Sequence, residues 1–269
     1  MQCYTHTLPG GATLVGYLRE ETTEMPAFNT RPAMLILPGG GYAYCSSREA
    51  DPVAMQFLQA GYNVFILYYT CRGQESQPAL RWQPLIDAAG AILHIRKNAV
   101  QFHIDPAKVA VCGFSAGGHL AASTAILWDA EPVRQALGIC GKEALPDAVV
   151  LGYPVITSGE FRHDGSICNL CGDDAALRGT MSLENQVSDG LPPFYIWHTV
   201  EDASVPVQNS MLLTTALTAH KVPFELHLFA HDGHGTSTCT QEVNTPTRHN
   251  SAWVPLCTDG LADTLDFHL

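Results

Sequence analysis

Six short apolar runs recur along the chain, at residues 33–37, 62–68, 108–112, 147–152, 193–198 and 224–229. Near-continuous runs such as Met34-Leu35-Ile36-Leu37 read as strands covered on both faces. Phe224-Glu225-Leu226-His227-Leu228-Phe229 instead alternates apolar and polar positions, the pattern of a strand near a sheet edge. Upstream, Tyr4 to Leu8, a turn at Pro9-Gly10-Gly11 and Ala12 to Leu18 predict an opening hairpin. Helical stretches fall between the runs, near 49–60, 79–99, 115–128, 206–220 and 251–266. Strands alternating with helices predict the α/β class, a mostly parallel central sheet of about eight strands with helices on both faces. The 269 residues, 46% of them hydrophobic, suffice for one large core, and no repeat or long linker interrupts them. One domain spanning residues 1–269 is therefore the expectation.

Two segments break the rhythm. Residues 157–191 carry Gly, Asp and Ser and run up to the paired prolines Pro192-Pro193, and residues 236–252 are polar and rich in Thr and Asn. Such insertions commonly wall a pocket, and Phe161 and Trp253, the latter directly after the second segment, are the aromatics on offer to a ligand.

The strand at 108–112 runs directly into Gly113-Phe114-Ser115-Ala116-Gly117-Gly118, and a small, apolar helical stretch follows. A strand that reverses into a helix within a few residues forces its apex into strained backbone angles, and glycines on either side make room for the crossing chains. Ser115 is thereby held up at the sheet end as a candidate nucleophile. A serine hydroxyl needs a base and a carboxylate to orient that base. Pro193 to His198 reads as a strand that enters Thr199-Val200-Glu201-Asp202-Ala203-Ser204, where Asp202 is the preferred acid and Glu201 its rival. The edge strand ends in Ala230-His231-Asp232-Gly233-His234-Gly235, where His234, between two glycines, is the preferred base and His231 its rival. His119 and His198 read as structural, and Asp173 and Asp174 as solvated loop acids.

Acyl transfer also needs donors for the oxygen that becomes negative in the tetrahedral intermediate. The strand at 33–37 breaks into Pro38-Gly39-Gly40-Gly41-Tyr42, which offers the N–H groups of Gly40 and Gly41, with that of Ala116 as a third donor. A phosphate-cradling loop is disfavoured, because neither a G-x-x-x-x-G-K-[ST] nor a G-x-G-x-x-G pattern follows.

These segments, with Ile104-Asp105-Pro106, Val205-Pro206, Phe229 and Gly233-His234-Gly235, resemble the α/β-hydrolase superfamily over nearly the whole chain. The resemblance is to its small acetyl-esterase and xylan-esterase-like, hormone-sensitive-lipase-related carboxylesterases. It implies Ser115 as nucleophile, Asp202 as orienter and His234 as base. It also implies hydrolysis of short acyl esters, often acetyl groups on sugars, without metal or organic cofactor. One departure stands out: Pro38 occupies a position where many relatives carry a histidine that supports the glycine loop. Two other readings remain open at this point. One is a peptidase of the prolyl-oligopeptidase type, usually accompanied by a gating propeller for which this chain has no room. The other is a non-catalytic binding module on the same scaffold.

A formal net charge of −12 argues against nucleic acid and anionic membrane surfaces as partners, and a small-molecule ester is the ligand that the resemblance implies. No apolar run approaches the length of a bilayer-spanning helix, and the segment from Met1 to His6 lacks the basic start and apolar core of a signal peptide. A cytoplasmic protein is the expectation. The nine cysteines suit reduced thiols, including Cys168-Asn169-Leu170-Cys171, for which no further zinc ligands at fitting spacing are evident. An oligomeric state is not legible in the chain.

Overall fold

The computed structural model describes residues 1–269. Eight strands form one sheet: β1 (Gln2–Thr7), β2 (Thr13–Leu18), β3 (Arg31–Leu37), β4 (Asn63–Tyr68), β5 (Ile104–Phe114), β6 (Ala148–Gly152), β7 (Phe194–Thr199) and β8 (Phe224–Phe229). Their spatial order is β1-β2-β4-β3-β5-β6-β7-β8. The β1–β2 and β2–β4 pairs are antiparallel, and every other pair is parallel.

Burial follows the hydrophobic pattern. All residues of β3, β6 and β7 are buried, because helices cover both faces of the parallel part. β8 closes the edge beyond β7 and is largely exposed along its first five residues. Alternate residues of β3 enter opposite cores, Leu35 and Leu37 on one side and Met34 and Ile36 on the other. The first core is closed by α2 (Gln83–Lys97), α3 (Ala116–Ile126) and α7 (Gln208–Ala219), and the second by α1 (Asp51–Gln59) and α8 (Trp253–Leu265).

The helix boundaries have local causes. Pro52 and Pro84 sit in the first turns of α1 and α2, where the missing N–H costs nothing, so α2 begins at Gln83 rather than at 79 as the pattern suggested. Three short helices were not anticipated: α4 (Glu131–Leu137), α5 (Asp164–Cys171) and α6 (Ala175–Thr180). The segment 157–191 therefore contains helical structure of its own. Asp174, expected to be merely solvated, caps α6 by accepting the Leu177 N–H at 3.0 Å and pairs with Arg81. Cys168 and Cys171 ride on α5, the first exposed and the second buried, and both are free thiols. No helix is long and apolar enough to cross a membrane.

Trp253 does not wall a pocket. It opens α8 and stacks on Trp197 with ring centroids 5.1 Å apart, fully buried, while its Nε1–H donates to the Ser237 carbonyl at 2.9 Å. Replacing it with alanine removes a large aromatic from the core and leaves that carbonyl only the weak Cys239 Sγ–H donor. Trp253→Ala is expected to cost about 3–5 kcal/mol, read as a fall in the urea-denaturation midpoint, with Trp253→Phe losing less.

Candidate active site

The parallel strands deliver their following loops to one end of the sheet, where such folds build sites. Ser115 stands between the end of β5 and the start of α3 at φ 54°, ψ −121°, in a left-handed region that costs a non-glycine residue strain. Its neighbours show why the turn needs glycine. A Cβ on Gly113 would lie 2.1 Å from the Gly117 carbonyl oxygen, and one on Gly117 would lie 2.1 Å from that of Leu37. The turn is tied to β6 by the Ser115 N–H, which donates to the Gly152 carbonyl at 3.0 Å.

The loops after β7 and β8 meet above this serine. His234 Nε2 lies 2.7 Å from Ser115 Oγ, and Nδ1 lies 2.6 Å from Asp202 Oδ2. A carboxylate accepts, so Nδ1 carries the proton and Nε2 accepts the serine hydroxyl. Burial would push the Asp202 carboxyl up. Hydrogen bonds from His198 and His234 outweigh it, with the Val205 N–H at 2.9 Å contributing, and hold the group well below the usual carboxylate range. His198 is fully buried. Its Nδ1 lies 2.8 Å from Ser210 Oγ, and its Nε2–H faces both the Val205 carbonyl at 3.0 Å and Asp202 Oδ2 at 3.3 Å, which braces the acid from behind. The rivals Glu201 and His231 are paired with each other at 2.9 Å out in solvent, away from the serine.

The glycine loop after β3 faces the same point. Gly40 and Gly41 adopt φ 122° and 64°, and a Cβ on Gly40 would fall 2.1 Å from the Tyr44 carbonyl oxygen. Neither glycine N–H has a protein acceptor, and Ala116, at the start of α3, leaves its N–H free as helix geometry requires. Four side chains pin this loop. Tyr69 Oη donates to the Pro38 carbonyl at 2.6 Å, and Glu49 Oε2 accepts the Gly39 N–H at 2.8 Å. Asn169 Nδ2 donates to the Gly41 carbonyl at 2.9 Å, and Tyr42 Oη donates to His119 Nδ1 at 2.8 Å. The His119 Nε2–H is spent on the Met181 carbonyl at 2.9 Å, and burial pulls this imidazole down to about 4, so it stays neutral. Proline at position 38 therefore leaves a loop that other residues hold.

Glu49, Tyr153 and Asn169 carry no motif, which is why sequence reasoning passed over them. Glu49 is buried under the glycine loop and accepts Tyr153 Oη–H at 2.6 Å, and burial pushes its carboxyl up against those donors. Tyr153 in turn accepts the Ser237 N–H at 2.8 Å and sets its ring edge-on to His234, centroids 4.9 Å apart. One buried chain of contacts thus links the glycine loop to the histidine loop.

The cleft has a cavity volume of about 270 Å³ and one apolar residue among its eleven lining residues, which include Ser115, His234, Gly40, Gly41, Arg48 and His163. Phe161 and residues 236–252 contribute nothing to it, whereas His163, from the 157–191 segment, does. No group of three or more His, Cys, Asp or Glu side chains gathers as a metal site. Larger hollows elsewhere, such as the one between Leu93, Pro106 and Leu145, hold none of Ser115, Asp202, His234, Gly40 and Gly41.

Comparison with known proteins gives the chain its relatives. The BD-FAE family model matches residues 23–156, and that of the prolyl oligopeptidase family matches residues 172–260. Endo-1,4-beta-xylanase B of Butyrivibrio fibrisolvens is 41% identical over 216 residues, 79% of this chain and 33% of that protein. An acetylxylan esterase of Xylanibacter ruminicola is 30% identical over 182 residues, 65% of this chain and 34% of its own length. The chain thus spans about a third of the length of the curated relatives it matches. Among solved structures, the acetyl ester-xyloside bifunctional hydrolase of Caldicellulosiruptor lactoaceticus is 34% identical, with a TM-score of 0.80 over 97% of this chain and 90% of that one. Sheet order, loop placement and this full-length likeness together make the chain a member of the α/β-hydrolase superfamily.

Proposed function

We propose that the protein is a serine hydrolase that cleaves short-chain carboxylic esters, with acetyl groups on xylan-type sugars as its substrate class. The observation that carries the reading is the His234 imidazole, set between Ser115 Oγ and Asp202 Oδ2 at 2.7 and 2.6 Å opposite two unpartnered glycine amides. Neutral His234 takes the Ser115 proton as Oγ adds to the ester carbonyl, and the N–H groups of Gly40, Gly41 and Ala116 hold the oxyanion. The imidazolium, paired with Asp202, returns the proton to the departing alcohol. Water then repeats the sequence on the acyl-enzyme. A small, polar cleft favours a short acyl group and a hydroxylated alcohol, in keeping with relatives that are an acetylxylan esterase and an acetyl ester-xyloside bifunctional hydrolase. Nine free cysteines, Cys3, Cys140 and Cys168 among them exposed, suit a reducing compartment, and action in the cytoplasm belongs to the proposal.

The prolyl oligopeptidase match over residues 172–260, which contain Asp202 and His234, favours one second reading, a peptidase or amidase. On the ester reading, p-nitrophenyl acetate is turned over at least about 100-fold faster than the matching aryl amide. A reversed preference would favour the peptidase.

Ser115→Ala is expected to lower kcat on acetylated xylo-oligosaccharides by about 10⁴–10⁶-fold and to abolish labelling by a fluorophosphonate probe. Retention of either property removes Ser115 from the mechanism. The acid limb of the pH profile supplies an independent check. A histidine base works only when unprotonated, so kcat/KM falls on the acid side of the profile. Because the Asp202 carboxyl is held well below the usual range, it stays ionised across that limb, and one proton governs the fall. Log kcat/KM should therefore drop with unit slope, and a slope of two would place a second titrating group in the relay.

A further inference from the structure

His163 lies in the 157–191 segment just ahead of α5 and caps that helix, its Nδ1 receiving the Ser166 N–H at 3.2 Å with Ser166 Oγ at 2.8 Å. A nitrogen that accepts a backbone N–H carries no proton, so the neutral ring bears its hydrogen on Nε2. Burial lowers the affinity of this imidazole for a second proton, and the nearby His234 acts in the same direction. Nε2 has no protein partner, although the ring lines the cleft and its Cε1 edge lies 3.9 Å from where a Cβ on Gly41 would stand. A polarised N–H is therefore left free beside the glycine loop, in the same cleft as Ser115 and His234.

An acetyl ester offers few atoms to satisfy it. The carbonyl oxygen goes to the glycine amides, and the acetyl methyl accepts nothing, so the acceptors that remain belong to the alcohol. We propose that His163 is a specificity-determining residue whose Nε2–H donates a hydrogen bond to a hydroxyl or ring oxygen beside the ester. It thereby selects acylated polyols over esters of plain alcohols. The inference rests on the ester-hydrolase reading and names the part of the substrate that this donor recognises. The polar lining of the cleft fits it, because a hydroxylated alcohol exchanges water for protein partners there, whereas an apolar alcohol finds little to bury against.

Two substitutions separate this role from helix capping. His163→Asn keeps a side-chain oxygen where Nδ1 accepts the Ser166 N–H, and asparagine is a good cap, but its amide does not reach the depth of Nε2. His163→Gln carries an N–H to that depth. The readout is the ratio of kcat/KM for mono-O-acetyl xylobiose to that for p-nitrophenyl acetate, measured on protein whose Ser115 takes a fluorophosphonate label. The ratio should fall about tenfold in His163→Asn and recover to within about threefold of wild type in His163→Gln. A wild-type ratio in the asparagine variant, or an equal loss in both variants, overturns the assignment. Wild-type protein that cleaves neither ester and takes no label would instead fail the ester reading itself, and the assignment with it.

Discussion

A serine held at φ 54° is the constraint around which this end of the molecule is arranged. The strain survives because the surroundings over-determine it. Gly113 and Gly117 let β5, α3 and the end of β3 approach to distances that no side chain permits, and β6 takes up the serine amide. Relaxing that turn would require moving two core layers at once. The hydroxyl consequently sits at a fixed height above the sheet end, and the other loops are built to meet it.

The meeting is organised by buried polar groups. Asp202 receives two backbone N–H groups, His234 and His198, so its charge is satisfied in a place water does not reach. Glu49 and Tyr153 do the same beneath the glycine loop, and through Ser237 they couple that loop to the segment carrying His234. Each network costs desolvation and returns orientation, which the chemistry needs more than it needs stability. Their cooperation also accounts for a glycine loop that begins with proline: Tyr69, Glu49, Asn169 and Tyr42 hold it where a supporting histidine is absent.

The segment 157–191 adds a third layer to the site. Its α5 presents Asn169 to the glycine loop and the cap residue before it, His163, faces the cleft, while Arg72 donates to the Asn169 side-chain oxygen at 3.2 Å. The same segment looked like a polar stretch because its helices are short and their polar residues serve as caps rather than as a periodic face. Residues 236–252, equally polar, turn the other way: Ser237, Thr238 and Cys239 are buried against the core behind the histidine loop.

Hydrophobic period is a local property, so the chain by itself determined the strand positions, the α/β class, and the glycine-flanked serine with an acid loop and a histidine loop following later strands. The choice within each pair was beyond it. Glu201 and Asp202 are adjacent in one loop, and His231 and His234 are three apart in another, and only the direction in which the packed loop turns sends one pair into solvent and the other toward Ser115. Tertiary structure alone also decided that Glu49, Asn169 and His163 border the site and that Trp253 does not. Those roles arise from contacts between residues as far apart as Gly41 and Asn169, and no pattern within either segment encodes the distance between them.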